Sequence, residues 1–279
     1  MTDLSDQPDD HAETDLGIAA AVTDRGHRHR RNEDAYAIAV DGDRAAVVVC
    51  DGVSSSANPD QASAAAAEAA LDSLRPFLGE PADAAKADPG DLGDLLRSAV
   101  LAAGRAVVSV PGEEPGGHPA APSTTIVAAL VEPGRVAVAS LGDSRAYWLT
   151  PLPAEEARSG ASRRLTVDDS LAEMAIKQGV PPDAAYRLPQ AHVITRWLGA
   201  GAEGARPEVD VFTTEQGGLL LLCTDGLWNY FEPPERLAAL VAEGGGATPV
   251  AIARALVDAA NDAGGEDNIT AAVTAVAPS

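Results

Sequence analysis

The chain has 279 residues, 46% of them hydrophobic, enough for one large domain with a substantial buried core. Its formal net charge of −22 repels nucleic acid and anionic membrane surfaces, so neither is an expected partner. The same field repels phosphate, so an acidic chain that handled phosphorylated ligands would need cations at its site. There is no run of about 18 apolar residues, and the N-terminal stretch lacks the basic and apolar regions of a secretory signal; the expected location is cytoplasmic.

Residues 1–14 are acidic, carry almost no large apolar side chains and read as a disordered tail, with a single domain from 15 to 279. Apolar runs over Leu16–Val22, Ala35–Val40 and Arg44–Cys50 predict strands, the last two joined as a hairpin by Asp41-Gly42-Asp43. Asn58-Pro59 reads as the N-cap and first residue of a helix whose apolar stripe is Leu71, Leu74, Phe77 and Leu78. A second helix is predicted over Asp91–Val110 from Leu92, Leu95, Leu96, Ala99, Val100, Ala103 and Val107. Beyond the irregular segment Pro111–Pro122, runs over Thr124–Val131 and Arg135–Leu141 flank the turn Glu132-Pro133-Gly134 and predict a second hairpin. Next come a strand over Ala146–Leu149, a polar segment Thr150–Arg164 and a short helix over Asp169–Gln178 that stops at Gly179. A strand over Gly218–Cys223, a helix from Thr248-Pro249 to about Ala260 and a strand over Ile269–Val276 complete the chain. Hairpin-linked strands mixed with long helices indicate an α+β layered domain with antiparallel pairing. Cys50 and Cys223 lie inside apolar runs. If the nearby Asp residues face one site, alternation turns only Cys223 toward it, so no disulfide is expected.

The informative carboxylates end apolar strands. Val47-Val48-Val49-Cys50 runs into Asp51-Gly52, Leu219-Leu220-Leu221-Leu222-Cys223-Thr224 into Asp225-Gly226, and Val138-Ala139-Ser140-Leu141 into Gly142-Asp143. Glu266-Asp267-Asn268 leads into the last strand. A carboxylate at a buried strand end is rigid and partly desolvated, which is costly unless it is paired or bound to a cation. One Asp-Gly alone is an ordinary turn. Several brought together, on a chain short of cations, form a cluster suited to divalent ions. Oxygen ligands without Cys or paired His favour magnesium or manganese over zinc. Two such ions about 3.5–4 Å apart activate a bridging water and stabilise charge on phosphoryl oxygens. The residues alone therefore point to a two-metal hydrolase, with phosphate esters as the leading substrate class.

The ordered series Arg31-Asn32-Glu33-Asp34, Asp51-Gly52, Gly142-Asp143-Ser144-Arg145, Leu165-Thr166-Val167-Asp168-Asp169-Ser170, Ile194-Thr195-Arg196, Thr224-Asp225-Gly226-Leu227-Trp228 and Glu266-Asp267-Asn268-Ile269-Thr270 resembles the metal-dependent protein phosphatase family, type 2C, in its bacterial branch. Each piece is weak; their order is specific, and they span almost the whole chain after residue 15. The resemblance implies a four-layer sandwich of two antiparallel β-sheets flanked by α-helices. It also implies a serine/threonine phosphoprotein phosphatase that opposes a kinase and uses two or three Mn2+ or Mg2+ ions. In that scheme Asp51 bridges two metals, the Gly52 carbonyl binds one, and Asp225 and Asp267 bind the other. Asp143 joins Asp225 at a third. Glu33 and Asp34 hydrogen-bond the metal-bound waters, with Asp34 orienting the attacking one.

The sequence departs from the family in three places. His29 stands where the family often has a phosphate-contacting Arg, leaving Arg28 or Arg30 as candidate substitutes. Val53-Ser54-Ser55-Ser56 replaces the usual Met-Gly-Gly-His. His192 falls where some bacterial relatives place a Ser near the third metal, which makes it a candidate third-metal ligand or general acid. The segment from Asp169 to Leu198 corresponds to the family's flap over the site. The alternative is a non-catalytic phosphoprotein- or kinase-binding regulator on the same fold, favoured only by the altered Arg and the Ser-rich turn.

Overall fold

The computed structural model describes residues 10–79, 89–112, 121–150, 162–199, 201–202, 205–243 and 248–279, the side chains of 89–91 excepted. Most of the two irregular segments and residues 1–9 of the tail lie outside the described residues. In chain order the elements are β1 (His11–Asp15), β2 (Ala19–Asp24), β3 (Asp34–Asp41), β4 (Arg44–Asp51), α1 (Pro59–Leu78), α2 (Pro89–Val108), β5 (Ser123–Thr124), β6 (Ile126–Glu132) and β7 (Arg135–Leu141). There follow β8 (Arg145–Leu149), β9 (Arg163–Arg164), α3 (Leu171–Lys177), α4 (Pro182–Ala185), β10 (Leu198–Gly199), β11 (Glu208–Thr213), β12 (Gly218–Cys223), α5 (Asp225–Trp228), α6 (Pro234–Glu243), α7 (Pro249–Ala263) and β13 (Ile269–Val276).

Both predicted hairpins form: Asp41 faces Arg44 across β3 and β4, and Glu132 faces Arg135 across β6 and β7. The strands make one sheet in the order β1-β2-β13-β12-β8-β9 and another in the order β11-β7-β6-β4-β3. A short β10-β5 pair lies apart from both. Every pairing among the described strands is antiparallel.

The inner strands of both sheets are covered on both faces, which is why they read as unbroken apolar runs. In β4, Ala45, Val47 and Val49 pack against Ala19, Ala21, Leu220 and Leu222 of the other sheet. The alternate residues Ala46, Val48 and Cys50 pack beneath α1 and α2 with Leu74, Phe77, Leu96 and Val100. In β12, Leu221 and Cys223 face outward to Leu237, Ile252, Leu256 and Trp228. The layers are therefore helix, sheet, sheet, helix. Each buried Val or Leu contributes about 1.5–3 kcal/mol, so this double coverage supplies most of the driving force for folding.

Several sequence expectations need correction. The domain does not begin at residue 15, because β1 starts at His11 and belongs to the sheet. It is a polar edge strand held by Thr14 Oγ1 to Tyr36 Oη (3.0 Å) and by Glu13 to Arg254, so it needs no apolar pattern. Asn58 does precede Pro59, but it sits at φ 47° and makes no side-chain cap; its Nδ2 donates to the Pro111 carbonyl instead. Cys223 does not face the acids. The strand ends there and Asp225 opens α5, so alternation no longer relates the two. Cys50 and Cys223 lie in opposite outer layers, both free.

Candidate metal centre

The acids gather at one end of the sandwich because strand register puts them there. Asp34, at the start of β3, faces Asp51, at the end of β4. In the other sheet β12 lies between β8 and β13, with Cys223 opposite Arg145 and Ala271. Asp143, Asp225 and Asp267, each within two residues of those strand ends, therefore emerge side by side. The turns must approach closely. A Cβ on Gly52 would lie 2.5 Å from the Pro59 carbonyl oxygen, and one on Gly226 would lie 2.0 Å from that of Asn268. Only glycine fits at either position.

Asp34 is the most enclosed of the acids. Its Oδ2 accepts from Thr224 Oγ1 (2.8 Å) and Thr270 Oγ1 (2.7 Å), while its Oδ1 is buried without a hydrogen-bond partner. Burial pushes its pKa up to about 8; the two threonines pull against that shift, and Asp225 and Asp267 add to it. Asp51 is raised well above its usual range by burial and then by Asp34, Asp225, Asp143 and Asp267. Asp143 is raised by burial and by Asp225. Asp225 rises to about 6 through burial and Asp267, moderated by hydrogen bonds to Asp51, Asn229 and Gly226. Carboxylates that raise one another's pKa in this way would all be favoured in their charged form by a cation placed among them.

Glu33 sits at the rim. Its Oε2 accepts from Ser54 Oγ (2.5 Å), Arg31 Nε lies 3.3 Å from its Oε1, and its carbonyl accepts from Gly52 N (3.1 Å) and Ser63 Oγ (2.6 Å). Asn268 ties the rim together. Its Oδ1 accepts from Glu33 N (2.7 Å), and its Nδ2 donates to the Arg25 and Arg31 carbonyls at 2.8 and 3.1 Å. Asp267 Oδ1 accepts from Asn268 N at 2.8 Å and lies 3.0 Å from His29 Nε2. Arg28 pairs with Glu266 at 2.7 Å, and both Arg28 and Arg30 are exposed.

Among the described residues, no three His, Cys, Asp or Glu side chains stand close enough to hold a metal ion as they are. Asp267 leans to His29, and Asp51 and Asp225 share a hydrogen bond. The donor set nonetheless suits a hard divalent ion. It is all oxygen, partly desolvated, and includes an unpartnered buried oxygen on Asp34.

His192 lies in the segment between α4 and β10. It is exposed and sits between the rings of Tyr186 and Trp228, with centroids 6.2 Å away on each side. Trp228 Nε1 donates to the Asp143 carbonyl (2.9 Å), and Arg145 stacks on the indole 3.5 Å from its centroid. Arg145 is wholly buried and bonds Asp168 at 2.6 Å, while Asp169 accepts from Gly142 N (3.0 Å) and Arg196 Nε (2.7 Å). These contacts fix the Gly142–Asp143 turn to the base of the segment that follows β9. The partnerships of Ser54, Asn268, Thr224 and Thr270 are not visible in sequence. The only signal was that Asn268 and both threonines stand beside the motif acids.

The Protein phosphatase 2C family profile matches residues 23–248, and the chain belongs to that family. It is 35% identical over 150 residues to the serine/threonine phosphatase stp of Listeria innocua, a match covering 53% of this chain and 54% of that protein. The chain thus spans about half the length of the curated relatives it matches. Among solved structures, the PPM Ser-Thr phosphatase MsPP from Mycobacterium smegmatis, in complex with cacodylate, superposes with a TM-score of 0.65 at 29% identity, covering 94% of this chain and all (100%) of that one. The catalytic domain of the serine/threonine protein phosphatase PstP, in complex with two manganese ions, has the same fold at 23% identity, with a TM-score of 0.65 over 92% of this chain and 97% of that one. The α+β sandwich read from the sequence is the fold of these proteins.

Proposed function

We propose that this chain is a manganese- or magnesium-dependent phosphatase of phosphoserine and phosphothreonine proteins, acting opposite a serine/threonine kinase. The observation that carries the reading is the convergence of Asp34, Asp51, Asp143 and Asp225, each pushed above the ordinary carboxylate range by burial and by the others. The likeness to the stp and MsPP phosphatases supports it.

Asp51, the Gly52 carbonyl, Asp225 and Asp267 are the residues that would hold two ions, with Asp143 serving a third. Ions held there would supply an activated water and charge stabilisation on the phosphoryl oxygens. Asp34 Oδ2 is fixed by two threonines while its Oδ1 is buried without a partner, so Oδ1 would be available to orient the attacking water and accept its proton. Glu33, steadied by Ser54, would accept a hydrogen bond from water bound at the rim. Both cysteines are buried in the outer layers, which leaves neither thiol to form a phosphoenzyme. Ser54 holds a site acid, so the Ser-rich turn supports the site and does not argue for a non-catalytic regulator.

The test is hydrolysis of a phosphothreonine peptide with manganese and then with excess EDTA, alongside Asp51→Asn. Turnover that needs both the metal and Asp51 is expected. No turnover on the peptide or on an aryl phosphate, or turnover that survives Asp51→Asn, overturns the reading.

A further inference from the structure

From Arg25 to Arg31 the chain carries Arg25, His27, Arg28, His29, Arg30 and Arg31, in a protein of net charge −22. The backbone of this stretch is anchored. Asn268 holds the Arg25 and Arg31 carbonyls, and His27 N donates to the Gly265 carbonyl (2.7 Å). A Cβ on Gly26 would lie 2.1 Å from the Asp267 carbonyl oxygen. Its cations meet the surrounding acids one by one. Arg25 pairs with Asp10 (2.9 Å), Arg28 with Glu266 (2.7 Å), and Arg31 with Glu33 (3.3 Å) and Asp60 (3.2 Å); His29 lies 3.0 Å from Asp267. Among the described residues no acid stands within ion-pair distance of Arg30, and its side chain is exposed. Its two chain neighbours both touch acids of the site, and consecutive Cα atoms lie about 3.8 Å apart. Among the described residues Arg30 is therefore an exposed guanidinium without an acid partner, flanked in the chain by two residues that touch acids of the site.

We propose that Arg30 binds an anionic group next to the scissile phosphate, so that the preferred substrates are phosphosites flanked by acidic residues or by a second phosphate. This rests on the phosphatase reading. The chain's overall negative charge does not override it, because exposed charges beyond about 8 Å are largely screened at physiological salt while a cation in direct contact with the bound anion is not. Arg suits the role because its fork matches carboxylate and phosphate oxygens in pairs.

The test is kcat/KM with manganese on phosphothreonine peptides that differ only in flank (Asp/Glu, Lys, or a second phosphoserine), with an aryl phosphate alongside. The wild type is expected to favour the acidic and doubly phosphorylated peptides over the Lys peptide by about twofold to fivefold, the size of one exposed ion pair. High salt should shrink that ratio, Arg30→Ala should abolish it, Arg30→Lys should keep part of it, and Arg30→Glu should invert it. A preference confined to the doubly phosphorylated peptide supports the proposal and identifies the anion as phosphate. A wild type without preference, or Arg30→Ala with the preference intact, overturns it. An equal loss on every peptide and on the aryl phosphate also overturns it, since Arg30 would then grip the scissile group. Aryl phosphate turnover without flank preference refutes this inference alone; no turnover on any substrate refutes the phosphatase reading with it.

Discussion

Arg145→Met should be among the most destabilising single changes in this protein. The Arg145 side chain is 0% exposed and that of Asp168 is 3% exposed; Nε and Nη2 bond the Asp168 carboxylate at 2.9 and 2.6 Å. Removing one member of a buried pair strands the other charge, at a cost of about 3–5 kcal/mol. Each member keeps a poor second partner, Glu232 at 3.5 Å from Arg145 and Arg164 at 3.7 Å from Asp168, which favours the lower end. About 3 kcal/mol corresponds to a fall of roughly 6–12 °C in Tm for a chain of this size. Asp168→Leu should cost a similar amount. The double variant Arg145→Met/Asp168→Leu should cost at least about 2 kcal/mol less than the sum, because neither charge is left unpaired. Urea unfolding followed by circular dichroism measures this as a shift in midpoint at constant slope. A single-variant loss under about 1 kcal/mol, or additive losses in the double variant, would refute the reasoning.

Asp225→Asn should stay folded yet lose turnover by more than about a hundredfold, beyond the effect of losing an outer partner; a folded variant with full activity sinks the site assignment. Ser54→Ala removes the 2.5 Å bond to Glu33 and should weaken manganese binding by about tenfold or more, read by calorimetry; unchanged affinity would make Ser54 incidental. In EDTA, stability should fall as pH rises from about 4 to about 8. The folded carboxyls of Asp34 (about 8) and Asp225 (about 6) hold protons that an unfolded chain, at the ordinary 3.8, releases. The folded state therefore binds more protons in that window, and the slope of stability against pH is negative. Thermal melts at pH 5 and pH 8 check this, manganese should flatten the difference, and a Tm that rises with pH contradicts it.

The acids were legible because each apolar run stops abruptly at a carboxylate, and the hairpins because Asp-Gly and Pro-Gly mark tight turns. The strand forecast over Leu16–Val22 slipped because Gly17 turns the chain at φ 81°, so β2 begins only at Ala19. β11 escaped notice because it is an edge strand, half-exposed along its length, with Glu208 and Asp210 interrupting Val209 and Val211. α6 is only ten residues long and its apolar stripe is thin. Within the site, sequence gave the identity of the acids but not what holds them. Thr224 and Thr270 reach Asp34 from 190 and 236 residues away, and no local pattern encodes such a meeting. His192 drew attention as a lone histidine in the flap; its ring contacts with Tyr186 and Trp228 depend on how that segment folds back.

Asp34 and Asp51 belong to one sheet, while Asp143, Asp225 and Asp267 border strands of the other. The centre therefore straddles the seam between the two halves of the sandwich. Its geometry depends on how Val47 and Val49 mesh with Leu220 and Leu222 well below it, since a small slide of one sheet over the other would separate the ligand sets without touching any acid. By the same linkage, an ion gripped from both sides would act as a rivet across the seam. Its grip would resist shear by RT ln(1 + [ion]/Kd), so the interior packing and the cation would each strengthen the hold of the other.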